Sequence, residues 1–288
     1  MNTLTTQENW DIEITAKNNL LDLKLRDVWQ YRDLLLLLVR RDFVSFYKQT
    51  ILGPIWFFVQ PAITILFYTL VFGNLAGIPV DGLPKPLFYL AGTIVWNYFA
   101  ECLTKTSTVF KDNSALLGKV YFPRLIMPLS IVLSNLVKFG VQFLLFIILY
   151  ITYLLKGSAI APNIFLLLLP LLIVMIAALG LGMGMIISAI TTKYRDLAFI
   201  VSFGVPLFMY TTTVIFPLSV AELKYPAYSW LVKFNPITAI IETFRYGFLG
   251  KGSFSWDLIG YSFISTVIIL ITGTIIFNRV EKSFVDTV

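Results

Sequence analysis

The chain has 288 residues, of which 58% are hydrophobic and 13% charged, with a net charge of +6 and a mean hydropathy of +0.82. A soluble domain carries about a quarter charged residues, so this composition excludes one and points to an all-α integral membrane protein, its excess Lys and Arg serving orientation rather than nucleic-acid binding. Histidine is absent and Cys102 is the only cysteine, which removes histidine acid/base chemistry, His-ligated metal sites and any internal disulfide.

The first apolar run follows a polar, mixed-charge stretch over residues 2–19, unlike a cleavable signal peptide. The N-terminus is therefore expected to stay attached and cytosolic. Next come Arg32-Asp33, six apolar residues from Leu34 to Val39, and Arg40-Arg41-Asp42. On a helical wheel Arg32, Asp33, Arg40, Arg41 and Lys48 fall within about half a turn, with Asp42 outside it. Such a helix lies in the membrane surface, its basic side toward headgroups and cytosol. It leads into an uncharged run, 51–72, long enough to cross.

Hydropathy predicts six spans: 51–72, 87–103, 130–155, 164–190, 197–218 and 258–277. With the N-terminus inside, fifteen Lys and Arg fall in cytosolic segments and six in outer ones, and Lys138 alone lies within a span. That bias predicts both termini inside. The loop 73–86, rich in Gly and Pro, reads as a tight outer connection. The loop 104–129 is basic and cytosolic, with a short helix expected over 107–118. The stretch 217–257 is too apolar for a solvated loop and too broken to span, so two short re-entrant or interfacial helices are expected there. Asn235-Pro236 starts one of them as N-cap and first-turn proline. Glu242 and Arg245 sit three apart on it, and Gly250 ends it.

No phosphate-binding loop is present. Gly118-Lys119 is followed by Val120, and Gly250-Lys251-Gly252-Ser253 has the wrong spacing. If ATP powers this chain, a separate subunit binds it.

Several residues stand out at bilayer depth. Trp56, Gln60, Thr64 and Tyr68 recur every four residues along the first span, and Tyr210 to Thr213 interrupt the fifth between Pro206 and Pro217. Singly, each is as well explained by bonds between packed helices and interface aromatics as by a functional role. Two stripes together favour a hydrophilic conduit, with Tyr210 and Thr213 as its residues in the fifth span. Lys138 shares a face with Asn135 and Gln142. An intramembrane lysine is a functional candidate by default; snorkelling and a structural ion pair with Glu101 compete, and the pair is favoured because no chain of ionisable groups crosses the membrane. Gly180, Gly184 and Ser188 form a small-residue ladder for close packing. The turn Lys193-Tyr194-Arg195-Asp196 is either a positive-inside anchor or a contact for a cytosolic motor.

The blocks Arg40-Arg41-Asp42, Tyr47-Lys48-Gln49-Thr50, Leu52-Gly53-Pro54-Ile55-Trp56, Gln60-Pro61, Trp96-Asn97-Tyr98-Phe99, Tyr121-Phe122-Pro123-Arg124, Tyr194-Arg195-Asp196 and Asn235-Pro236 resemble, in this order, the permease subunits of bacterial polysaccharide ABC exporters, O-antigen exporters most of all. The resemblance runs from about Leu25 to Val288. It implies a cytosolic segment 1–26, an amphipathic interface helix 27–50, a six-span domain 51–278 and a cytosolic tail 279–288. It further implies an inner-membrane homodimer and two copies of a cytosolic ATPase that hold ATP and Mg, with no cofactor in this chain. A coupling helix over 107–118, with Phe110, Lys111, Asn113 and Leu116, would meet the ATPase, as would Arg195 and Asp196. The implied cargo is a lipid-linked polysaccharide.

Two other functions compete. A drug or small-lipid exporter of the same fold needs a closed apolar pocket, and the polar-aromatic stripes count against it. An integral-membrane glycosyltransferase needs paired catalytic groups, whereas Asp81, Glu222, Glu242 and Asp257 are scattered and no histidine exists. A purely structural membrane anchor would leave the stripes unexplained.

Overall fold

The computed structural model describes residues 25–48, 50–117, 122–194 and 196–285, and every regular element among them is helical. In chain order these are α1 (Leu25–Gln30), α2 (Arg32–Tyr47), α3 (Trp56–Tyr68), α4 (Lys85–Ser107), α5 (Val109–Asp112), α6 (Ser114–Leu117), α7 (Ile126–Leu155), α8 (Leu169–Lys193), α9 (Leu197–Phe208), α10 (Leu218–Lys224), α11 (Ser229–Lys233), α12 (Pro236–Leu249) and α13 (Trp256–Val285).

Four helical stretches are long and apolar enough to cross a membrane: Gly53–Leu75, Ile126–Leu155, Ile164–Lys193 and Trp256–Val280. They match the first, third, fourth and sixth predicted spans. The second falls on α4, whose 23 residues include Lys85, Glu101 and Lys105 and dilute its hydropathy. The fifth differs from expectation. Its apolar helix ends at Thr211 instead of residue 218, because Thr212 turns to extended backbone and Pro217 caps a new helix, α10.

Helix α4 is the centre of the bundle. Every residue from Leu87 to Trp96 is buried, and α8 and α7 make its main contacts. Glycines allow this closeness. A Cβ at Gly184 would stand 2.5 Å from Thr106 Cβ, and one at Gly180 would stand 2.9 Å from Cys102 Cβ. On another face of α8, Gly182 packs on the backbone of α13 at Leu270. The small-residue ladder is thus an interface on two sides.

The expected surface helix is split at Tyr31 into α1 and α2 and ends at Tyr47. It rests on α7 through Leu38, which is buried with Phe110, Phe122, Ile126, Met127 and Phe277. Arg32, Arg40, Arg41 and Lys48 are all exposed. The expected helix over 107–118 is two short helices, α5 and α6, hinged at Asn113, whose side-chain Nδ2 donates back to the Val109 carbonyl at 3.0 Å. A side chain that bonds its own backbone in this way competes with helix continuation.

Three helices occupy 217–257 where two were expected. The largest, α12, is buried over nearly all its length. Asn235 Oδ1 accepts from the Ile237 N–H at 3.0 Å, and Pro236 follows at the first helical position. Gly250 closes the helix with φ +70°, a conformation glycine adopts without penalty.

Candidate translocation site

The first stripe lies on the most open of the four stretches long and apolar enough to cross. Only 17% of the apolar window in Gly53–Leu75 is buried, against 28–39% in the other three. Trp56 is 42% exposed, Gln60 is exposed and Thr64 half-buried. Thr64 Oγ1 donates to the Gln60 carbonyl at 2.9 Å, which satisfies the hydroxyl within the helix and leaves the Gln60 amide free to face outward.

Tyr68 ends the stripe by turning inward. Its ring packs edge-on against Tyr89 and Phe72, and its hydroxyl lies 3.7 Å from the Met209 sulfur. Met209 precedes Tyr210 in a 3₁₀ turn (Met209–Thr211) that extends α9. The two stripes therefore meet where Tyr68 touches this turn, and Tyr210 is 52% exposed beside it. Tyr210 also borders an open groove with Phe216, Tyr225 and Tyr228. Aromatic faces combined with hydroxyls offer broad, weakly polar contact.

Thr213 does not belong with them. It is fully buried, and its carbonyl accepts from Arg245 Nη1. The chain turns inward after Tyr210, so the expected wall residue is an internal one.

Glu242 and Arg245, three apart on the expected helix, form a buried pair outside the expected site. Arg245 is 1% exposed and Glu242 2%, with Nη1 of Arg245 3.3 Å from Glu242 Oε1. Its guanidinium lies 3.6 Å over the Phe88 ring. The available signal was an ion pair at i, i+3 on a helix otherwise apolar on every side.

Further along α4, Lys138 Nζ lies 2.7 Å from Glu101 Oε2, with side chains 8% and 37% exposed. Lys105 reaches the same oxygen at 3.7 Å and Asn135 Oδ1 at 3.5 Å. Two lysines thus share one partly exposed carboxylate.

The α5 end of the bundle carries the residues expected to meet an ATPase. Lys111 and Asp196 are exposed, Asn113 and Leu116 half-buried, and Arg195 lies outside the described residues. Phe110 differs from expectation: it is 2% exposed and stacks on Phe277 with centroids 4.6 Å apart. It fastens α5 to α13 and presents no ring to a partner. Thr191 Oγ1 donates to the Ser107 carbonyl at 2.6 Å, tying the end of α8 to the end of α4. Among the described residues no three His, Cys, Asp or Glu side chains gather as a metal site.

The chain is similar to an O-antigen export system permease protein RfbA of Klebsiella pneumoniae, 26% identical over 88% of this chain and 94% of that one. A protein of the same name from Myxococcus xanthus is 29% identical over 77% of this chain and 82% of that one. Residues 33–249 match the model of the ABC-2 type transporter family, a stretch that takes in α2, both stripes and all of α12. That match covers well over half of the chain, and the chain belongs to the ABC-2 type transporter family.

Proposed function

We propose that this chain is the transmembrane subunit of an ATP-driven exporter that carries a lipid-linked, O-antigen-like polysaccharide across the bacterial inner membrane. The observation that carries the reading is the likeness, over most of both chains, to proteins named O-antigen export permeases. Two copies of the chain bring two α3 faces together, and Trp56, Gln60, Thr64, Tyr68 and Tyr210 line the path between them. A polymer of many sugar units needs weak, repeated contacts along its route, because a tight site would stall it. The openness of α3 in the single subunit and its continuity with Tyr210 support this arrangement.

In this reading α4 and α9 complete a set of six spans, α9 with the turn after it crossing as a broken helix. Both termini and the α5 end face the cytosol, and α10 to α12 face outward. Exposed Arg32, Arg40, Arg41 and Lys48 hold α2 at the headgroups. Two copies of a separate ATPase dock on α5, α6 and the 193–196 turn and hold ATP and Mg.

The test is complementation. Cells lacking this chain should lose surface polysaccharide and accumulate the lipid-linked polymer inside, and both should be restored only when chain and ATPase are supplied together. Purified chain that hydrolyses ATP unaided would overturn the division of labour. Cells that retain normal surface polymer without the chain would overturn the cargo.

A further inference from the structure

Arg245 is the largest side chain buried to this degree among the described residues, and more than its ion pair holds it. Nη1 donates to the Thr213 carbonyl, and Nη2 donates to the carbonyls of Val214 at 3.0 Å and Phe88 at 3.2 Å. The slot exists because residue 92 is glycine: a Cβ there would stand 2.5 Å from Nη2 and 3.1 Å from Val214 Cα. Glu242 balances the charge and accepts from the Ser253 N–H and hydroxyl through Oε2. At the other end of α12, Asn235 Nδ2 donates to the Thr211 carbonyl at 3.2 Å and to Thr211 Oγ1 at 3.1 Å.

Both ends of α12 therefore grip residues 211–214, the last residue of the 3₁₀ turn and the non-helical stretch after it. A broken helix at bilayer depth leaves carbonyls without partners, and each must be met by a neighbour. Here side chains of α12 meet three of them. A guanidinium suits the task, since its planar fork of donors reaches two elements at once, whereas a lysine ammonium is a point charge that cannot span them.

We propose that Arg245 is a positioning residue of the transport path: by holding the carbonyls of Thr213 and Val214 it fixes the turn that presents Tyr210 to the passing polymer. The proposal rests on the reading of Tyr210 as a path residue given above. It assigns the buried pair a role beyond stability, namely the shape of the outer part of the path.

The test separates fold from positioning with two variants in the assembled transporter. Arg245→Met with Glu242→Gln removes both charges, which avoids stranding one of them. Arg245→Lys keeps the pair with Glu242 but gives up the fork. Each is made in a Cys102→Ala background. For labelling alone, each also carries Tyr210→Cys, read by its rate of reaction with a membrane-impermeant maleimide. Export is read separately as surface polymer with Tyr210 intact, and assembly as co-purification with the ATPase.

At least one variant should assemble at the parent level, with severalfold altered labelling at position 210 and severalfold less surface polymer. Unchanged labelling in every variant that assembles would overturn the proposal, since the turn would then not depend on Arg245. Altered labelling with normal export would overturn its transport half and remove Tyr210 from the path, while leaving the exporter reading intact. Failure of both variants to assemble would also overturn it, making Arg245 an architectural residue only.

Discussion

Helices α3 and α4 follow one another in the chain and reverse the usual relation between hydropathy and burial. Gly53–Leu75 passes as a membrane span on composition, yet 17% of its apolar window is buried. Helix α4 carries Lys85, Glu101 and Lys105, yet it is the centre of the protein. In water the apolar helix would be the inner one. In a bilayer the surroundings are themselves apolar, so exposed aliphatic surface carries no penalty, and packing goes to helices with small residues and satisfiable polar groups. Hydropathy here reports which helix tolerates lipid, and the glycines of α8 let α4 pack at the centre.

The strongest way to break this comparison is at the inner helices. Arg245→Met alone leaves Glu242 buried without its partner, and an expected loss of about 3–5 kcal/mol should appear as a sharply lower melting temperature in detergent or a loss of folded yield. Gly184→Leu comes next. It drives a side chain into Thr106 on α4, and overpacking of this kind costs about 1–3 kcal/mol, again read by thermal melting.

Lys138→Met should cost less, about 1 kcal/mol or below, because Glu101 is open enough to be rehydrated and keeps Lys105 as a partner. A loss as large as that of Arg245→Met would show that the carboxylate is sealed from water and that the two ion pairs are alike. The open helix should answer least in stability. Gln60→Leu with Tyr210→Leu is expected to leave the melting temperature and ATPase co-purification unchanged while surface polymer falls several-fold. Normal export from that double variant would assign both stripes to packing. At the small end, Lys111→Ala on the exposed side of α5 should alter neither melting nor monomer yield and should weaken only the pull-down of the ATPase.

Much of this was legible in the sequence because the signals were local. Asn235-Pro236 and Gly250 marked both ends of α12 through cap chemistry, the run 34–39 between charges marked α2, and the Gly180, Gly184 ladder marked a tight interface. What the sequence concealed depended on partners far away in the chain. Thr213 looked like part of a polar stripe by its spacing from Tyr210, but Arg245, thirty-two positions on, turns it inward. Phe110 sat in a basic loop where an outward aromatic was expected, and Phe277 from the last helix claims its ring. The fifth span ran to Leu218 by hydropathy alone, because composition does not reveal that the carbonyls of Thr211, Thr213 and Val214 are met from the side.

The end of α3 has a consequence of its own. Residues Thr69–Leu75 continue the helix as a π-helical turn, which accommodates one more residue than an α-helix over the same rise. Every position beyond Tyr68 is thereby rotated out of the register of the stripe. Gly73 turns toward α4, where a Cβ would meet Lys85 Cδ at 2.8 Å and Tyr89 at 3.4 Å, and Lys85 Nζ reaches the Gly73 carbonyl at 2.7 Å. The stripe of Trp56, Gln60, Thr64 and Tyr68 therefore has a built-in terminus, set by phase and independent of composition. Across this turn Gly73 stands five positions after Tyr68 yet on the same side, since both meet Tyr89, so removing one residue between them would return the segment to α-helical phase with Gly73 still toward α4.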